Sequence, residues 1–308
     1  MKYICKTLDF KIKEPTVISF GKFDGLHRGH ELLVQWMKQL KKEKDLKSVA
    51  FTFDIPPKTH LLSLEQKSLT TKKEKLYIFA QSGVDYLVEC PFVDEVRQMQ
   101  AEEFIAWIVK SLHVKQIVVG TDFRYGYQRK GDYLLLQRLE KKYGYQTVVV
   151  DKLKEDGKDV SSTYIRNLLC EGNLQKANRL LGYPFFMRGE VVHGQALGRT
   201  IGIPTLNMIP SEDKMLPPNG VYITRVKMDE KNYCGVTNIG CRPTVSDTKQ
   251  ISVETYVIDF SEQIYGKTVS VEFLSFLREE RKFEHLSELK SQMEKDIDAA
   301  KMYFQKNI

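Results

Sequence analysis

Residues Gly21 to His30 read GKFDGLHRGH and hold two of the chain's six histidines, His27 and His30, with glycine at 21, 25 and 29. Side chains three apart at a helix start share a face. Two imidazoles so placed can donate hydrogen bonds to phosphate oxygens as charge builds in a transition state. The glycines let the backbone turn tightly and approach a ligand, and a helix start adds N–H groups and a positive dipole end for an anion. Asp24 lies inside the same loop and is counted with Gly21 and Gly25 as a candidate ATP or phosphate contact. A histidine pair on a helix face is also a common structural arrangement. The run VISF before it, and the apolar residues Leu32, Leu33, Trp36, Met37 and Leu40 after it, favour chemistry here. They make the loop a strand-to-helix turn, where α/β proteins place ligands.

Two later segments have the same character. GTDFRYG, residues 120–126, follows the apolar run Ile117 to Val119 and puts Asp122 and Arg124 on the same strand-end edge. SSTYIR, residues 161–166, opens a helix with Ser162 and Thr163 at its cap and Arg166 one turn in, a set suited to a triphosphate. The first also reads as a polar turn and the second as an ordinary cap. HxGH at the start of a first helix resembles the signature of the nucleotidyltransferases, which transfer the nucleotide part of a triphosphate and release pyrophosphate.

The elements that must position these residues alternate. Strands are expected at 17–20, 49–53, 86–88, 117–119 and 147–150, with helices near 72–82, 101–112 and 132–143. Such alternation predicts a parallel sheet covered on both faces, a Rossmann-like domain over roughly residues 1–182. Beyond about 183 the segments 186–193, 220–228, 233–238, 251–258 and 268–274 alternate between turn-rich stretches. An antiparallel sheet or small barrel is expected there, over 183–308, with a helix from about 284 onward.

With 308 residues, 42% hydrophobic and 28% charged, two globular domains are the natural expectation. A net charge of +7 fits a phosphate-bearing partner, either ATP or nucleic acid. The densest basic stretch, Lys38 to Lys47, is broken by Glu43 and Asp45, so it reads as a solvated helix end and gives little support for nucleic acid. Five cysteines without a CxxC pair, and no apolar run long enough to span a bilayer, point to a cytoplasmic protein with reduced thiols and no membrane partner.

From Gly189 the chain continues GEVVHGQALGRTIGIPTLNM, then NGVYITRV, GVTNIGCRPTV, VETYVIDF and FLREERKF. Together with the first loop, these segments resemble the bacterial bifunctional riboflavin kinase and FAD synthetase family over residues 14–300. The resemblance implies an N-terminal nucleotidyltransferase domain followed by a six-stranded antiparallel β-barrel kinase domain with a C-terminal helix. It also implies ATP, riboflavin and FMN as small-molecule partners, with Mg²⁺ as cofactor. In this family Thr205 and Asn207 of PTLN match the residues serving magnesium and the ATP phosphates, with Gly198, Arg199 and Gly202 in a flap over them. Glu254 of VETY matches the catalytic base, and Arg278 the segment closing over flavin. Asp122 and Arg124 would contact flavin in the first domain. Taken singly, Thr205 and Asn207 could be turn residues and Glu254 a solvent-facing strand residue. The chain departs from the family pattern at Lys22, where asparagine is usual, and at Phe53 to Pro57, where Ile55 and Pro56 replace the proline and histidine of FxPHP, with His60 out of register. Three readings follow: two ATP-dependent steps, one active half only, or a non-catalytic flavin- or nucleic-acid-binding regulator.

Overall fold

Val17, Ile18, Ser19 and Phe20 are all buried, the pattern of a strand covered on both faces. The computed structural model describes residues 1–54, 67–194, 197–242 and 250–306. The replaced Ile55, Pro56 and Pro57, and His60, lie outside them. Two compact units divide between Ser162 and Thr163. The first is built on β1 (Lys2–Cys5), β2 (Thr16–Phe20), β3 (Lys47–Phe53), β4 (Tyr86–Cys90), β5 (Val114–Gly120) and β6 (Gln146–Val150). They form one sheet in the order β1-β4-β3-β2-β5-β6, every pair parallel. The edge strand β1 was not expected from the sequence.

Among the described residues the α-helices of this unit are α1 (Arg28–Lys44), α2 (Lys72–Gln81), α3 (Asp94–Gln98), α4 (Ala101–Leu112) and α5 (Tyr133–Tyr143). Alternate residues of β2 feed two cores. Ile18 and Phe20 pack with Phe104, Ile105 and Ile108 of α4 and Leu136 of α5. Val17 packs with Leu33, Val34 and Met37 of α1 and Phe79 of α2. The chain runs from β2 to β3 and β4 on one side, then returns to lay β5 on the other side of β2. This reversal leaves a crevice between the carboxyl ends of β2 and β5, where an open α/β sheet receives its ligand.

Beyond α6 (Ser162–Cys170) and α7 (Leu174–Leu181), the second unit holds β7 (Phe186–Glu190), α8 (Leu197–Thr200), β8 (Thr205–Met208), β9 (Gly220–Met228), β10 (Lys231–Arg242), β11 (Gln250–Val257), β12 (Thr268–Arg278) and α9 (Leu286–Lys306). The strands form a six-stranded antiparallel sheet, β7-β12-β9-β10-β11-β8. The continuation of β7 bridges from Val192 to Asn207 on β8, joining the sheet's two ends. Five of these strands answer the alternating segments of the sequence, and the sixth is the PTLN segment itself. Ile297, Tyr303 and Phe304 of α9 pack on Ile223, Val236 and Tyr256, so the terminal helix covers part of the sheet. Compactness divides the chain about 20 residues before its change of rhythm, because α6 and α7 count with the second unit. Asn178 of α7 donates to the Phe273 carbonyl at 2.8 Å.

Candidate active sites

In the first unit the loop after β2 is held by a few specific bonds. Gly25 has φ +77°, a left-handed turn for which glycine carries no penalty. Its N–H donates to the Thr70 hydroxyl at 3.1 Å, and the Thr70 N–H donates back to the Asp24 carboxylate at 3.1 Å. Asp24 is almost wholly buried. Its carboxylate therefore ties the loop to the segment before α2, a structural task that the sequence reading did not foresee. From the other side Ser162 donates its hydroxyl to the Asp24 carbonyl at 2.9 Å. A Cβ on Gly21 would press the Phe23 ring at 3.1 Å, and one on Gly29 the His27 ring at 3.2 Å.

The two histidines meet. His27 is the N-cap of α1 but its side chain makes no capping bond, and its ring stacks on His30 at 3.9 Å with 24° between planes. His30 is partly buried, with its Nδ1 shielded from solvent and without a hydrogen-bond partner. Burial holds the His30 imidazole well below the usual histidine range, and the neighbouring charges of His27 and Lys75 push it the same way. Two imidazoles with ring nitrogens at a helix start can donate to, or accept from, a phosphate group. Asp122, largely exposed, pairs with Lys152 at 3.1 Å, and Lys152 also holds Asp159 at 3.0 Å. The exposed Arg124 donates to the Phe123 carbonyl at 3.0 Å. Arg28, between the histidines, pairs with Glu155. Thr163 and Arg166 belong to the second unit, Arg166 buried on α6.

In the second unit register decides which residues meet. Glu254 of β11 lies opposite Asn207 of β8 on one side and opposite Asn238 of β10 on the other. Directly paired residues project from the same sheet face, so one carboxylate is flanked by two carboxamides. Thr205, two residues before Asn207, pairs with Tyr256 and shares that face. A cavity of 220 Å³ is lined by Gly198, Thr205, Asn238, Glu254, Tyr256 and Arg278, with Met293, Asp296 and Ile297 of α9. The Glu254 carboxylate accepts from the Ser252 hydroxyl at 3.4 Å.

Two glycines let the chain close in. A Cβ on Gly194 would lie 2.4 Å from Asn207 Cγ, and one on Gly198 only 2.2 Å from the Ile203 carbonyl oxygen. Ile203 returns its N–H to the Gly198 carbonyl at 2.8 Å, and the exposed Arg199 donates to the Tyr265 hydroxyl at 2.6 Å. Arg278 is fixed by Asp296 of α9, with Nε at 3.0 and 3.1 Å from the two carboxylate oxygens and Nη2 at 2.7 Å from one of them. Sequence reasoning missed Asn238, Asp296, Thr70 and Lys75. Asn238 sits inside the quoted GVTNIGCRPTV segment. Asp296 interrupts the apolar spacing of Met293 and Ile297 on the last helix, a signal that could have found it.

Similarity to known proteins extends over both parts of the chain. A family model described as riboflavin kinase matches residues 181–304, and one described as FAD synthetase matches residues 9–164. Among curated proteins, the bifunctional riboflavin kinase/FMN adenylyltransferase of Escherichia coli K12 is 38% identical over 296 residues, covering 95% of this chain and 94% of that protein. The protein of the same name from Bacillus subtilis is 36% identical over 295 residues, covering 94% and 92%. A crystal structure titled as a macrolide-efflux protein from Streptococcus pneumoniae superposes with a TM-score of 0.85 at 30% identity, covering 95% and 96%. Among the described residues no helix is long and apolar enough to cross a membrane.

Proposed function

This chain belongs to the bifunctional riboflavin kinase/FMN adenylyltransferase family, and on that premise we propose how its residues divide two ATP-dependent steps that lead from riboflavin to FAD. The observation that carries the reading is Glu254, paired across the sheet with Asn207 and Asn238, in one cavity with Thr205 and Asn238. In the first step Glu254 accepts the proton of a ribityl hydroxyl as its oxygen attacks the γ-phosphorus of ATP. The bond from that phosphorus to the β-phosphate oxygen breaks, giving FMN and ADP. Gly198 and Arg199 close over the phosphates, and Asp296 aims Arg278 at the flavin cavity.

The Thr205 hydroxyl and the Asn207 carboxamide, two residues apart on one strand face opposite a carboxylate, form a set of hard oxygen donors that fits Mg²⁺ held mainly by nucleotide phosphate. When bound, the ion would neutralise charge on the transferring phosphoryl group.

In the second step an oxygen of the FMN phosphate attacks the α-phosphorus of ATP and pyrophosphate leaves. No covalent enzyme intermediate is needed, so positioning and electrostatics carry it. His27, His30 and the backbone from Gly21 to Gly25 face the phosphates, Ser162 serves the triphosphate, and Asp122 and Arg124 the flavin. We retain residues 1–182 as the adenylyltransferase domain and 183–308 as the kinase domain. Free thiols at Cys5, Cys90, Cys170 and Cys234, together with chemistry on ATP, suit the cytoplasm.

Incubation with riboflavin, ATP and Mg²⁺, followed by chromatography and run beside a reaction begun from FMN, tests both steps. FAD is expected in each. Glu254→Gln should stop the first reaction alone and His27→Asn the second alone, each by about 100-fold or more. Riboflavin that stops at FMN in the unmodified protein, with added FMN untouched, would remove the adenylyltransferase assignment.

A further inference from the structure

Lys75, on the first turns of α2, is partly buried and reaches out of its helix to donate to the Lys22 carbonyl at 3.0 Å, inside the loop that leads to the histidine pair. The charged groups around it come from several elements: Lys22 and Asp24 in the loop, Glu89 at the end of β4, Lys72 on α2 and His30 on α1. Glu89 is itself buried, accepts from the Tyr3 hydroxyl at 2.5 Å and pairs with Lys72. It thereby joins the edge strand β1 to the same cluster. Among the described residues no ion pair brings a carboxylate to Lys75. A long side chain is instead ordered, at an entropic cost, onto one backbone oxygen of the nucleotide loop.

We propose that Lys75 is a positioning residue for adenylyl transfer, fixing the Gly21–Gly25 turn through the Lys22 carbonyl and supplying the positive charge beside which the histidine pair works. The proposal rests on reading the first unit as the adenylyltransferase. Two consequences separate within it. Loss of the donor loosens the turn and lowers kcat for FAD formation. Loss of the charge removes one of the influences that hold the His30 proton affinity down, leaving burial and His27. His30 then gains a proton at higher pH, and the acid limb of the profile moves upward.

Three variants distinguish them. Lys75→Arg keeps donor and charge, Lys75→Gln keeps a donor without charge, and Lys75→Met has neither. FAD formation from FMN and ATP is measured across pH, with riboflavin phosphorylation by the same preparations as a control for the intact second unit. The expected result is near-normal kcat in Lys75→Arg and a loss of about tenfold or more in Lys75→Met. Lys75→Gln should fall between them, and its acid limb should move upward. A ¹³C-histidine titration, with His30 assigned by its loss in His30→Asn, reads the charge effect without activity and should show His30 titrating at higher pH in Lys75→Gln. Unmodified protein that makes no FAD would overturn the adenylyltransferase reading, while the titration still decides the coupling. Lys75→Arg no better than Lys75→Gln, or an unmoved His30 titration, would overturn the proposal. If Lys75→Met does not fold, the comparison of Arg with Gln decides.

Discussion

Asp296→Asn is the most informative single change in the second unit. Asp296 is almost fully buried on α9, and its carboxylate takes three contacts from Arg278 and a fourth from Gln292 at 2.9 Å. Removing one member of a buried pair costs about 3–5 kcal/mol, because the remaining charge is stranded. Here the cost is smaller. The Arg278 side chain is 22% exposed and keeps its Nη1 bond to the Glu279 carbonyl at 3.0 Å, and asparagine still offers an acceptor. About 2–3 kcal/mol is the resulting estimate. For a unit the size of Thr163–Ile308 this lowers the melting temperature by roughly 4–12 °C. Differential scanning calorimetry, with the relevant transition identified by its response to riboflavin, measures the shift. KM for riboflavin should rise as well, since Arg278 lines the cavity. The double variant Arg278→Met with Asp296→Leu should regain most of the stability, since a matched apolar pair replaces a buried ion pair at little cost, but not the affinity for riboflavin. A shift below about 1 °C in Asp296→Asn would refute the reasoning that this pair is a buried one holding α9 to the sheet.

Two further outcomes follow from geometry and charge. Gly198→Ala places a Cβ against the Ile203 carbonyl, which is backbone and cannot swing aside. The kinase step should show at least about a tenfold higher KM for ATP while FAD formation from FMN is unchanged, as steady-state assays of both steps would show. Burial pushes the Asp85 carboxyl upward, but bonds from Lys41 and from the Ser48 N–H and hydroxyl outweigh it and hold the group below its usual range. A depressed carboxyl stabilises the fold above its unfolded pKa and loses that contribution as pH falls through the folded value. Urea unfolding of Asp85→Asn should thus show reduced stability near pH 7 and a shallower fall between about pH 5 and 3 than the unmodified protein.

Much of the molecule could be read from one sequence because the signals are local. A strand, a glycine loop and a helix with HxGH are contiguous, and the alternation of elements implies a parallel sheet. The kinase segments PTLN and VETY are each recognisable within a few residues. What the sequence could not supply is register and long-range partnership. That Glu254 stands between Asn207 and Asn238 depends on three strands separated by loops, and a shift of one residue in any of them would turn its side chain to the other face. The edge strand β1 escaped because KYIC is short and half exposed, and it becomes a strand only by pairing with β4, more than 80 residues away. Asp24 reads as a phosphate contact from its place in a glycine-rich loop, and only the fold shows its carboxylate buried and bonded to the Thr70 N–H. Lys75 and Asp296 look like ordinary helix-surface charges until the fold places a carbonyl beside one and a guanidinium beside the other. Residue type and spacing along the chain determined the chemistry available and the class of fold. The tertiary structure alone decided which charged groups face each other, because electrostatic and hydrogen-bond energies depend on distances of a few ångströms that the chain sets only when it folds.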